Sequence, residues 1–270
     1  MIRGRTIRLE TPWESCAFLW MTLWLLFFVP MLPAPLMAQE APKPPCHSQS
    51  DIDRGNALIK AGKLEEAAPI LKGAVDNDPQ CAEAHLAMGS LLSKQDRIGD
   101  ALLEFQQAVK LDPKLEEAHH RLGNTYARIN RFDLAISAYK AAIALNPNAA
   151  DVEVDLGNIY GVRRSMAEAK SHYLAALKIN PNLPVAHNNL GLVLKDEKNY
   201  DEAIKEFEKA VALDPSYPDP HEGLGDVYVA QKKYADIIRE YELYLKLAPN
   251  ADDANAVRRS ISAAKSLAPK

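Results

Sequence analysis

Histidines His85 and His119, and again His187 and His221, stand 34 residues apart, a spacing that invites a metal track or a row of proton carriers. Zinc needs nitrogen ligands about 2.0–2.1 Å from one ion, whereas packed helices lie about 8–10 Å apart. Histidines on successive helices therefore do not share an ion, and the column reads as packing. His119 and His120 are neighbours, so on a helix they point to different sides. His221-Glu222 lacks the second histidine of a zinc-protease helix, and Gly223-Leu224-Gly225 lacks the strand and later glycine of a dinucleotide loop. No Walker loop or GxSxG elbow is present. No catalytic residue, cofactor or metal set emerges, and the chain reads as a non-enzyme.

The elements that carry these residues begin after a distinct N-terminal stretch. Residues 1–15 hold Arg3, Arg5 and Arg8, then Cys16–Val29 is an uncharged run, and prolines lead to Leu36-Met37-Ala38. This is the order of a secretory signal peptide, with cleavage expected after Ala38. Fourteen helical residues rise about 21 Å, short of the roughly 30 Å hydrocarbon core. The competing reading is an uncleaved membrane anchor over residues 16–29, supported by the long basic region and by Leu36, where a smaller residue would serve cleavage better. Residues 39–47 are proline-rich and read as a linker. The chain of 270 residues is mildly acidic, at −4, with no basic block. Nothing in that balance favours nucleic acid.

From residue 48 a beat of 34 residues sets in. Prolines stand at 79, 113, 147, 181, 215 and 249, and glycines at 55, 89, 123, 157, 191 and 225. Small residues recur at Ala67, Ala101, Ala135, Ala169 and Ala203, with Ile237 breaking the run. Leu71, Phe105, Tyr139, Tyr173, Phe207 and Tyr241 form a large apolar column. Apolar residues flanking each glycine, such as Leu122 and Tyr126, share one face of a first helix. Glycine and alanine let a second helix approach closely, and the aromatic fills the space beside them. Proline lacks an amide hydrogen and turns its predecessor away from helix, so it ends the second helix. A turn such as Lys198-Asn199 separates the two.

These spacings resemble the tetratricopeptide repeat family, through its Leu-Gly…Tyr, Ala…Phe…Ala…Pro pattern. The units are 48–81, 82–115, 116–149, 150–183, 184–217 and 218–251, the first a looser match with Arg54 where the others carry Leu or Met. Residues 252–270 read as a capping helix and tail, with Val257, Ile261 and Ala264 on one face. The resemblance implies an all-α, right-handed superhelical solenoid of six helix-turn-helix repeats plus the cap. First helices line its concave side, where this family holds a peptide or a partner's helix.

On the family pattern the groove-facing candidates are Asn56, Arg121, Asn124, Asp155, Asn158, Asn188, Asn189 and Asp226. Asparagine amides both donate and accept, so a ladder of them grips an extended backbone without reading its sequence; the competing reading is a generic solvated groove. The cations of a chaperone-tail carboxylate clamp are missing. Acidic residues at Glu83, Glu117, Asp151 and Asp219 point to basic partners, or simply complement helix dipoles. Cys46 precedes the first unit and Cys81 closes it, so in an exported chain the two are expected to form a disulfide. The function expected is an exported scaffold, most naturally in a bacterial periplasm or anchored to the inner membrane by residues 16–29, that binds a protein or peptide. The rivals are a self-assembling homo-oligomer and an accessory subunit of a separate envelope enzyme. Membrane contact is expected only if the N-terminal segment stays uncleaved.

Overall fold

The computed structural model describes residues 46–268. The proposed export segment, 1–38, and all of the linker except Cys46 and His47 lie outside the described residues, as do residues 269 and 270. Thirteen helices and no strand are found among the described residues. They are α1 Gln49–Lys60, α2 Leu64–Asn77, α3 Ala82–Lys94, α4 Ile98–Leu111, α5 Glu116–Arg128, α6 Phe132–Leu145 and α7 Ala150–Val162, then α8 Met166–Ile179, α9 Pro184–Asp196, α10 Tyr200–Leu213, α11 Asp219–Gln231, α12 Tyr234–Leu247 and α13 Ala254–Leu267.

Two kinds of turn cut the chain into hairpins. Within each hairpin the first helix ends on a left-handed residue: Gly62, then Asp96, Asn130, Arg164, Lys198 and Lys232, each with φ between 56° and 74°. The next amide donates back five residues, as from Arg131 to Tyr126 at 2.8 Å and from Asn199 to Leu194 at 2.9 Å. That bond satisfies a helix-end carbonyl. At four of the boundaries between hairpins the residue before proline is extended, and its side chain caps the amide two residues on. Asp112 accepts from Lys114 at 3.0 Å, Asn146 from Asn148 at 3.1 Å, Asn180 from Asn182 at 3.0 Å and Asp214 from Ser216 at 2.9 Å. Short side-chain acceptors favour such turns.

Each hairpin packs through its small columns. Ala67, Ala101, Ala135, Ala169 and Ala203 are wholly buried, and Phe105, Tyr139 and Phe207 fill the space beside them. A Cβ on Gly123 would lie 2.6 Å from the Tyr139 ring. Glycine is thus required there for close approach. The Phe207 ring lies against Gly191 of its own hairpin and Gly223 of the next, so one aromatic ties two hairpins together. Burying each such ring contributes about 1.5–3 kcal/mol.

The stacking pattern gives the array its inner side. Every first helix touches the first helix of the next hairpin, while second helices of successive hairpins make no such contact. The stack therefore curves with α1, α3, α5, α7, α9 and α11 inside. Helix α13 buries Val257, Ile261 and Ala264 and leaves Arg258, Arg259 and Lys265 exposed, which closes the C-terminal end. Among the described residues no helix is long and apolar enough to cross a membrane.

Candidate functional site

The concave side divides into two halves with different chemistry. Between α1, α3 and α5 lies an open cavity of about 850 Å³. Its floor is apolar, with Ile52, Ile59 and Leu86 among its residues, and Asn56, Arg121 and Asn124 line it as well. Arg121 is held by Glu117 at 2.6 Å. Lys60, Lys94 and Arg128 occupy the last turns of the three first helices and edge the same space. Arg128 reaches Asp96 at 2.7 Å.

Tyrosine hydroxyls from the second helices occupy the oxygens of the expected ladder. Tyr139 donates to Asn124 Oδ1 at 2.6 Å, Tyr173 to Asn158 Oδ1 at 2.9 Å and Tyr241 to Asp226 Oδ1 at 2.8 Å. Burial pushes the Tyr173 hydroxyl up to about 12, so it keeps its proton and donates. The acceptor side of each amide is thereby fixed, and Nδ2 of Asn124 is left as the groove-side donor.

The candidates form no single ladder. Ser90 and Leu192 stand where the second and fifth rungs would be. Asn158 also accepts from Asn189 Nδ2 at 2.8 Å, and Asn189 accepts from Asn188 at 3.2 Å. Asn188 is a buried residue, 2% exposed. Asp155 accepts from His120 at 2.8 Å, and Asp226 takes Lys195 at 2.6 Å. Asn56, Arg121 and Asn124 thus share the cavity of the first three hairpins, while Asn158, Asn188 and Asn189 are tied to one another beyond it. Burial, and then a hydrogen bond and charge from Asp253, push the Glu222 carboxyl up to about 7.

The histidine column is more than packing. His85 Nδ1 meets Glu104 at 2.6 Å, His187 meets Glu206 at 2.6 Å and His221 meets Glu240 at 2.7 Å, each across its own hairpin. Glu153 stands in the histidine column and pairs with His172 at 2.7 Å, the same contact with acid and base exchanged. Nineteen residues after His119 stands Ala138, which cannot pair. His119 therefore keeps only the contact to the preceding proline carbonyl, Pro113 at 2.9 Å, which His85 and His187 also make to Pro79 at 3.2 Å and Pro181 at 2.9 Å. The hydrogen bond to Glu104 raises the His85 pKa above its ordinary value, against the opposing effect of burial. His85, His187 and His221 are all buried, so these pairs join helices and face no substrate. The signal was present in the sequence as a spacing of nineteen residues between opposite charges, a distance no single-helix pattern tests.

Cys46 and Cys81 stand at disulfide distance, with Cα atoms 5.2 Å apart. Among the described residues they form, with Glu83, the one group of ligand types within reach of a common ion, but the two sulfurs stand at bonding distance from each other. The His47 amide donates to Asp78 at 2.8 Å beside them, so the chain entering α1 is tied to the turn after α2.

Tetratricopeptide repeat models match residues 52–116, 116–149 and 172–205, and a further TPR repeat model matches 193–232. No curated protein matches. Among solved structures, PilF of Pseudomonas aeruginosa is 18% identical with a TM-score of 0.71, over 78% of this chain and 96% of that one. PilW, described as a widely conserved type IV pilus biogenesis factor, is 16% identical with a TM-score of 0.71, over 78% and 98%. YrrB, described as a TPR protein with an unusual peptide-binding site, is 20% identical with a TM-score of 0.56, over 70% and 97%. At these identities the likeness is one of fold.

Proposed function

The chain belongs to the tetratricopeptide-repeat family, and from that premise we propose that it is a non-catalytic, exported scaffold holding a segment of a partner protein in its concave groove. The observation that carries this reading is the open cavity between α1, α3 and α5, with its apolar floor and charged edge. Binding sites generally combine an apolar concave surface with a few placed polar groups, and the fixed Nδ2 donor of Asn124 suits a peptide carbonyl. The pairs that resemble catalytic acid–base sets are buried between helices, which supports binding over catalysis. Export is supported by the uncharged Cys16–Val29 run and by a cysteine pair at bonding distance, an arrangement typical of oxidising compartments. The peptide site described for YrrB and the pilus role described for PilW fit a bacterial envelope partner.

The test is a photoreactive side chain at Asn124, with a control at Leu103, exposed on the outer side. In the native envelope the groove position is expected to give one dominant protein adduct that the control lacks. Equal adducts at both positions, or none at Asn124, would overturn the reading. End-to-end self-assembly is disfavoured at the C-terminal face, because α13 already covers the apolar end of the stack.

A further inference from the structure

We propose that the groove is charge-polarised along its length and takes a partner segment that is acidic and apolar over α1, α3 and α5 and basic over α7, α9 and α11. The inference rests on the groove reading above and names the chemistry of its occupant. In the first half the cavity is lined by Lys60, Lys94, Arg121 and Arg128 against Glu83 and Glu117. Arg121 is bonded to Glu117 and Arg128 to Asp96, so the excess cations are Lys60 and Lys94 at the edge. The column of Lys60, Lys94 and Arg128 continues as Val162, Asp196 and Ala230, and the cations stop. Across the second half Asp151, Asp155, Asp219, Glu222 and Asp226 face a single lysine, Lys195, already bonded to Asp226 at 2.6 Å.

Helix dipoles do not account for this. Acids in the first turn and bases in the last complement the dipole of any helix, so that cause would repeat in all six first helices. The acids at the first turn do recur, at Glu83, Glu117, Asp151 and Asp219. The last-turn cation appears on α1, α3 and α5, recurs on α9 only as Lys195, which Asp226 already holds, and is absent from α7 and α11. The asymmetry belongs to the groove, not to its helices. It also narrows the expectation of a basic partner: the acidic column attracts cations in the second half, while in the first the lysine edge offsets it.

Geometry sets the pattern the segment must carry. Neighbouring first helices lie about 8–10 Å apart, and a chain in the polyproline II form advances about 3.1 Å per residue with about three residues per turn, so every third side chain lies on one side. A carboxylate at every third position therefore meets Lys60, Lys94 and Arg128 in turn, and apolar side chains between them reach Ile52, Ile59 and Leu86. Lys60 and Lys94 are exposed, so their replacement leaves the core intact.

The experiment uses the purified full chain and fluorescent peptides of equal length: an acidic–leucine repeat with Glu at every third position, its lysine counterpart, and its glutamine counterpart. The acidic peptide is expected to bind more tightly than the glutamine one and to weaken with salt. The double variant Lys60→Glu/Lys94→Glu, melting like the parent, should weaken it by about tenfold or more while leaving the lysine peptide unaffected. Asp151→Asn/Asp219→Asn should weaken only the lysine peptide. An acidic peptide that binds no better than the glutamine one, or that ignores Lys60→Glu/Lys94→Glu, overturns the charge assignment and leaves the groove reading standing. If no peptide binds and Asn124 yields no adduct, both fall.

Discussion

Glu153 and His172 make the same 2.7 Å contact as His221 and Glu240, with the acid moved to the first helix and the base to the second. The requirement at this place in the hairpin is therefore an opposite-charge pair and not a particular residue at either end. Removing one member leaves its partner without a hydrogen bond, so His172→Ala or Glu153→Ala should each cost about 1–3 kcal/mol. Exchanging both, Glu153→His with His172→Glu, should recover most of that. The recovery is incomplete because His172 also stacks on Tyr160, with ring centroids 5.3 Å apart, worth about 0.5–1.5 kcal/mol. Urea unfolding of the four proteins measures the cycle, and an exchange variant no better than the worse single would refute the pairing rule.

Glycines at two places should answer alanine with opposite signs. At Gly123 a Cβ would lie 2.6 Å from the Tyr139 ring, and overpacking of this kind costs about 1–3 kcal/mol. Gly73, inside α2, has nothing within 4 Å of an added Cβ, so Gly73→Ala should stabilise by up to about 1 kcal/mol through helix propensity. Thermal melts of the two variants side by side decide it.

The fold was legible because its requirements repeat. A Cβ excluded at Gly123 is excluded at Gly89 and Gly157 for the same reason, and six copies raise one steric rule above the noise of any single site. What stayed hidden depends on relations between columns. Nothing marks Arg164, Lys198 or Lys232 as left-handed, since only the surrounding helices force them there. The asparagine row invited a ladder because Asn124 and Asn158 were taken alone. Read with residues fifteen positions later, they are the partners of Tyr139 and Tyr173, while Ser90 and Leu192 accompany Phe105 and Phe207, which have no hydroxyl to place. The His–Glu pairs were missed for the same cause: each half looks ordinary until the second helix is folded against the first.

Stability should fall as pH rises from about 6 toward 8, for two separable reasons. The His85 pKa is raised above 6.5 by Glu104, so its contribution is full below the unfolded value and is lost as pH climbs through the folded one. His120 behaves alike: burial opposes its charge, and the hydrogen bond and charge of Asp155 with the charges of Asp151 and Glu117 together outweigh it. Glu222 holds its proton to about 7 in the fold against 4.5 when free. The folded state therefore binds the extra proton between those values, and its advantage declines as pH rises through them. Glu222→Gln should flatten that part and, after discounting for the water that reaches the site, raise Tm at pH 8 by about 2–4 °C. His85→Gln should remove its share of the histidine part, leaving that of His120. Melting curves against pH check both, and an unchanged slope in either variant rejects its assignment.

The Cys46–Cys81 bridge should be the staple of the array's first hairpin. It closes a loop of sequence separation 35, for which a disulfide contributes about 2–4 kcal/mol. Cys81 has a second task, because its sulfur accepts the Ala84 amide at 3.3 Å as the N-terminal cap of α3. Cys46→Ala removes only the bridge, whereas Cys81→Ala removes bridge and cap and should cost about 0.5–2 kcal/mol more. Hydrogen exchange should quicken first in α1 and α2, since neighbouring repeats in a solenoid are coupled only through their shared faces. Thiol counting on non-reduced protein settles the bond itself. The full chain should show one reactive thiol, Cys16, and a chain cut after Ala38 should show none; two more in either form would remove the staple from the argument.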